Sequence, residues 1–221
     1  SNAAASKMLE LLSSKTEDDI EAFMRDSADI LNQAVYDQSV GKNLYQMGTT
    51  EAAMYFCEDS VIVCNVGDSS VYGLRGEKLL KISLDHTDEE YMKQQGITGR
   101  KPRLTQYLGM DPMSVRIEPH VVTGFLHEGD VYIICSDGLT DMLSDARIQE
   151  IVSNSGSASE CVTDLINEAM ENGGRDNTTV IVCRILGSLE SPVTVGISEE
   201  KEQQSFGNKL FSRWKKMLGG Q

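Results

Sequence analysis

Two aspartates stand where a strand-like run meets a loop. Asp137 follows the apolar run Ile133-Ile134-Cys135 and precedes Gly138, and Asp176 lies between Gly173-Gly174 and the run Thr178 to Val182. Hard divalent cations take carboxylate oxygens held on rigid elements, and strand ends supply that rigidity. If the two strands are neighbours, both carboxylates point into one cleft. The alternative is plain loop chemistry, because Asp-Gly is a favoured turn and Asp-Asn after Gly-Gly suits a loop as well. Taken alone, either residue supports both readings.

The elements around them have a definite order. Residues 5–15 and 17–38 read as helices. In the second, Ile20, Phe23, Met24, Ile30, Leu31, Ala34 and Val35 recur at helical spacing, and acidic residues crowd its first turn. The period then changes to that of strands: "TTEAAMYFCED", "SVIVCNVGD", "SVYGLRG" and "KLLKISL", broken by turn residues, predict a meander of antiparallel strands. A short polar helix, "HTDEEYMKQQG", leads into a basic loop, "ITGRKPRLTQ". Strands follow at "VRIEPHVVTGF" and "DVYIICS", then helices at "SDARIQEIVSN" and "SASECVTDLINEAMENGG", and a last strand at "NTTVIVCRIL". Helices, strands, helices and a strand do not alternate as βαβ units do. The order predicts an α+β fold, a sandwich of antiparallel sheets covered by helices.

Composition narrows the function. The chain has 221 residues, 40% of them hydrophobic, and a net charge of −14. That charge excludes nucleic acid as a partner, since phosphate backbones need a basic surface. It leaves room for a phosphorylated substrate, because bound cations invert the sign of an acidic site. Five cysteines, none spaced as C-x-x-C and most inside apolar runs, predict reduced, buried thiols and hence a cytoplasmic chain. Residues 1–3, "SNA", read as an expression scar. From 188 to 205 the chain reads as a polar linker, and from 206 to 221 as a basic amphipathic tail. Phe206, Leu210, Trp214 and Leu218 share one face of that tail, beside Lys209, Arg213 and Lys216. The tail reads either as a membrane-surface or partner-docking helix, which would make the protein membrane-peripheral, or as a segment that packs back on its own domain or stays disordered.

The motifs "GTT", "VGDSSVYGLR", "LDHT", "LTQYLG", "GDVYIICSDGLTDML" and "GGRDNTTVIV" occur in that order. The series closely resembles the metal-dependent protein phosphatases of type 2C, the compact bacterial ones above all, from about Ala4 to Ile185. The resemblance implies a four-layer α-β-β-α sandwich holding two or three Mn²⁺ or Mg²⁺ ions. It implies hydrolysis of phosphoserine and phosphothreonine in proteins by a metal-bridging water, with no protein nucleophile. Carried over, Asp137 and Asp176 would be metal ligands, and Asp85 of "LDHT" would serve a more weakly held third ion.

Around them, His86 is read as a structural hydrogen-bonding residue rather than an acid or base, and His120 and His127 as structural. Gly67 and Asp68 are read as a tight turn. Ser70 stands where relatives often carry Arg. Arg100, Lys101 and Arg103 of the basic loop would steer a phosphopeptide, or form a solvated loop.

One part of the family pattern is absent from the sequence. The opening strands with a phosphate-gripping Arg, and the "DGxGG" turn whose Asp bridges both metals, do not precede "AAASKMLELL". This predicts a domain short of its first strands, weakly active or inactive alone, with exposed sheet edges that invite dimerisation. The competing expectation is a non-catalytic binding module built on the same body.

Overall fold

The computed structural model describes residues 2–14, 19–42, 44, 47–57 and 59–187. The linker and tail predicted from 188 onward lie outside the described residues. Two helices, α1 (Asn2–Ser13) and α2 (Ile20–Gly41), come first, and Asp19 caps α2 by accepting the Ala22 N–H at 2.9 Å. Seven strands follow: β1 (Glu51–Cys57), β2 (Ser60–Val66), β3 (Ser70–Arg75), β4 (Lys78–Lys81), β5 (His120–Phe125), β6 (Val131–Cys135) and β7 (Val180–Arg184). Helix α3 (Glu89–Gln95) sits between β4 and β5. Between β6 and β7 come the single turn α4 (Asp137–Thr140), α5 (Asp145–Asn154) and α6 (Ala158–Glu171). Ser157 opens α6 by accepting the Glu160 N–H, while the Glu160 carboxylate reaches back to the Gly156 N–H. Among the described residues no helix is long and apolar enough to cross a membrane.

The strands form two antiparallel sheets, ordered β1-β2-β5 and β4-β3-β6-β7. The alternation within each strand sorts its side chains between layers. Ile62, Cys64 and Val66 of β2 pack beneath Met24, Ala28 and Leu31 of α2. Val61 and Val63 face the other way and meet Val71 and Tyr132 of the second sheet. The outer face of that sheet, through Tyr72, Leu74, Ile133 and Cys135, packs on Ile148, Val152, Cys161 and Leu165 of α5 and α6. Helices, sheet, sheet, helices: the four layers are those expected.

Two details correct the sequence expectation. The first four strands are not one meander. β1 and β2 belong to one sheet and β3 and β4 to the other, because the chain turns between sheets at Gly67, whose φ of +103° favours glycine. A Cβ there would also run into Thr50. The strand predicted from Val115 begins only at His120. Pro119 has no N–H for a ladder, and the preceding N–H groups of Ile117 and Glu118 are given to the side chains of Asp29 and Gln106.

Glu51 went unnoticed in the sequence. It pairs with Val66, so its side chain lies on the face beneath α2, where neither carboxyl oxygen is exposed or has a hydrogen-bonding partner among the described residues. Burial raises its pKa from 4.5 to about 7. The folded protein therefore holds a proton between pH 4.5 and 7 that the unfolded chain releases. Folding stability attributable to Glu51 falls across that window by up to roughly 3 kcal/mol and levels off above it. Chemical denaturation from pH 5 to 8 is expected to show this loss in the parent protein and a flatter profile in Glu51→Gln; identical profiles would refute the assignment.

Candidate metal centre

Register alone brings the acidic residues to one end of the sandwich. Ser70, the first residue of β3, pairs with Cys135, the last of β6, and Cys135 pairs with Val180, the first of β7. Asp68 therefore lies two residues before one strand, Asp137 two residues after its neighbour, and Asp176 four residues before the next. Beyond β4, Ile82 and Ser83 donate to the Val71 carbonyl and His86 donates to the Gly67 carbonyl, which carries Asp85 to the same end.

Each position is fixed by local chemistry. After β6, Ser136 caps the turn α4, so Asp137 opens a helical turn rather than ending a strand. The Ser136 N–H donates to Thr179, and its hydroxyl donates to the Asn177 carbonyl and accepts the Thr179 N–H, both at 3.0 Å. Gly138 lets the two segments touch, for a Cβ there would lie 2.5 Å from the Asn177 carbonyl oxygen. The Asp176 loop is thus stapled against the start of α4. Asp176 itself is exposed, its carboxylate accepting the neighbouring Asn177 N–H.

Asp68 is partly buried and does more than turn the chain. Burial first, then the charge of Asp137, raises its pKa above the ordinary value, with Asp85 adding and Lys101 opposing. The signal that would have found it is an Asp directly after the glycine at which the chain changes sheets. Asp85 is held from one side by Lys81, 2.7 Å away, while its Oδ1 is buried with no partner among the described residues. His86 accepts the Gly67 N–H on Nδ1 at 3.0 Å, and burial lowers its pKa against the pull of Asp85. Both facts fit the structural reading. His120 is likewise lowered, chiefly by burial.

The basic loop divides its three cations. Arg100 forms a bidentate pair with Asp88 at 2.6 and 3.3 Å, and the Arg103 backbone N–H donates to the same carboxylate. These bonds hold the Asp88 pKa below its ordinary value. Arg100 is therefore used at the base of the loop. Lys101 crosses to the acidic cluster and donates to Asp137 at 2.6 Å and to Asp141 at 2.5 Å. Partial burial works against its charge, but the two carboxylates outweigh it and raise its pKa. The side chain of Arg103 stays exposed.

Residues 1–172 match the family model described as protein phosphatase 2C. The chain belongs to the protein phosphatase 2C family. It is 30% identical over 177 residues to the serine/threonine phosphatase stp of Listeria monocytogenes, a match covering 76% of this chain and 69% of the relative. It is 29% identical over 160 residues to the protein phosphatase PhpP of Streptococcus pneumoniae, covering 69% and 64%. Among solved structures, the catalytic domain of the serine/threonine phosphatase PstP, in complex with two manganese ions, superposes with a TM-score of 0.71. That match is 27% identical and covers 84% of this chain and 80% of the other. The Streptococcus agalactiae serine/threonine phosphatase superposes with a TM-score of 0.70 at 28% identity, covering 83% and 81%. The protein phosphatase 2C fold expected from the motifs is the one found.

Whether these residues suit the hard divalent cations of protein phosphatase 2C can be judged from the donors. All are carboxylate oxygens, and the buried, unpartnered Oδ1 of Asp85 is a place where a cation would relieve an uncompensated acceptor. Among the described residues no three His, Cys, Asp or Glu side chains are grouped closely enough to hold an ion by themselves. The donor chemistry fits, while Lys101 is bonded to one of the donors, Asp137.

Proposed function

We propose that this chain hydrolyses phosphoserine and phosphothreonine in proteins with Mn²⁺ or Mg²⁺. The carrying observation is the convergence of Asp68, Asp85 and Asp137 at the strand ends of one sandwich edge, in a chain that belongs to a metal-dependent phosphatase family. Asp137 and Asp85 would hold the ions, and Asp176 would join them from the loop stapled to Ser136. Divalent ions there would activate water and neutralise the phosphoryl oxygens.

The protein's own residues have distinct tasks. The Ser136–Asn177–Thr179 bonds fix the separation of two ligand-bearing segments. Lys81 would orient Asp85 through Oδ2, leaving Oδ1 buried and unpartnered among the described residues. His86 braces the Gly67 turn that presents Asp68. Exposed Arg103, on the same basic loop as Lys101, would draw a phosphorylated segment in. Pairing with a second chain would use one of the edge strands β1, β5, β4 or β7, each of which has a neighbour on one side within its sheet among the described residues. The buried thiols of Cys64, Cys135 and Cys161 support a reducing, cytoplasmic setting.

The test is turnover of a phosphothreonine peptide and of a small aryl phosphate across a Mn²⁺ titration. Phosphate release that rises with Mn²⁺ and stops with chelator is the expected result. Bound Mn²⁺ without release from either substrate would instead favour the non-catalytic binding module.

A further inference from the structure

Lys101 occupies one oxygen of Asp137, the carboxylate read as a metal ligand, and one of the nearby Asp141. Its Nζ lies 2.6 Å from Oδ2 of Asp137 and 2.5 Å from Oδ2 of Asp141. Asp137 and Asp141 are four residues apart across α4, so both carboxylates lie on one side of that turn. A divalent cation on Asp137 would share that carboxylate with the ammonium. The two positive charges repel, and an oxygen committed to Lys101 has less to offer a metal.

The loop delivers Lys101 from two anchors. Before it, Arg100 is bound to Asp88. After it, the Arg103 N–H donates to Asp88, Thr87 bridges to Leu104, and the Thr105 N–H donates to the His86 carbonyl at 2.8 Å. These anchors hold the ends of a short excursion, with Lys101 at its inner point. Its side chain is half-exposed, so it can leave the carboxylates for water without opening the core.

We propose that Lys101 is a tethered cationic plug, seated on Asp137 and Asp141 without metal and displaced into solvent when a divalent cation binds. Metal occupancy and release of the loop tip are then one equilibrium, and each opposes the seated lysine. The inference rests on the reading of Asp137 as a metal ligand.

The experiment is Mn²⁺ binding by the whole chain without substrate, followed by the electron paramagnetic resonance signal of free Mn²⁺. The parent is compared with Lys101→Met and Lys101→Gln. Lys93→Met serves as control, removing the same charge from a residue paired with Glu89 on α3. Removing a charge in direct contact with the site is expected to tighten Mn²⁺ binding about tenfold in both Lys101 variants. The control is expected to stay within about twofold, since exposed charges act weakly through solvent. Amide hydrogen exchange over residues 98–104 is expected to quicken when Mn²⁺ is added to the parent. Unchanged or weaker Mn²⁺ binding in both Lys101 variants overturns the plug and leaves the metal site standing. Absence of Mn²⁺ binding in every variant overturns the metal site and the plug together.

Discussion

Asp137→Asn is expected to lower Mn²⁺-dependent turnover by about a hundredfold or more, without weakening the metal-free fold. Removing a partner that merely orients a ligand costs roughly 10–100-fold, so loss of a carboxylate that itself holds the ion should reach at least the upper end. Asn keeps the shape of the side chain and the start of α4, which depends on the Ser136 hydrogen bonds and on Gly138 rather than on the Asp137 charge. Stability should move the other way. The Asp137 charge is one of the causes that raise the pKa of neighbouring Asp68, with Asp85 adding to it, so these acids repel one another. Taking one charge away relieves Asp68, at the loss of one of the two ion pairs made by a half-exposed lysine. Activity lost while stability is kept or gained is the signature of a residue retained for function. The checks are kcat/KM on an aryl phosphate at saturating Mn²⁺ and the melting temperature in chelator. Turnover equal to the parent's would remove Asp137 from the site.

The sequence made Asp137 legible because a carboxylate just past a buried strand is unusual, and ordered motifs supplied its context, although the residue opens the turn α4. The helices were legible from their periodicity but not all their limits: α2, read from 17 to 38, begins at Ile20 after the Asp19 cap and runs to Gly41. What stayed hidden depends on how distant segments meet. A period of two shows that β2 and β3 are strands but not that they lie in different sheets. Asp68 therefore read only as a turn residue, although the change of sheet turns it toward Asp137. Lys101 reads as a loop cation because its partners are 36 and 40 residues away, and only the Asp88 anchors bring it to them. Glu51 is hidden for the opposite reason. It follows two threonines at a strand start, where a carboxylate ordinarily faces water, and only the packing of α2 over β1 and β2 buries it.

At the far end of the sheet from Asp137, Asp130→Ala is expected to destabilise the protein by about 3–5 kcal/mol while leaving Mn²⁺ affinity unchanged. Asp130 has a side chain only 3% exposed. It binds Arg75 through both oxygens, at 2.8 and 2.6 Å, and also accepts the His127 N–H and the Tyr132 hydroxyl. One carboxylate thus ties the end of β3 to the β5–β6 connection and the start of β6. Removing it takes both carboxylate oxygens away from a guanidinium whose side chain is only 16% exposed, and breaking a buried pair from one side costs in that range. For a chain of this size the melting temperature should fall by roughly 6–20 °C. Replacing both partners, Arg75→Met with Asp130→Leu, should cost less than the two single changes added together, because the pair's desolvation is relieved along with its attraction. The five residues of β6 separate this pair from Asp137 by about 17 Å, beyond the screening length at ordinary salt. The Arg75–Asp130 pair and the acidic cluster around Asp137 are therefore separate sets of charges, and a variant at Asp130 should report on stability alone.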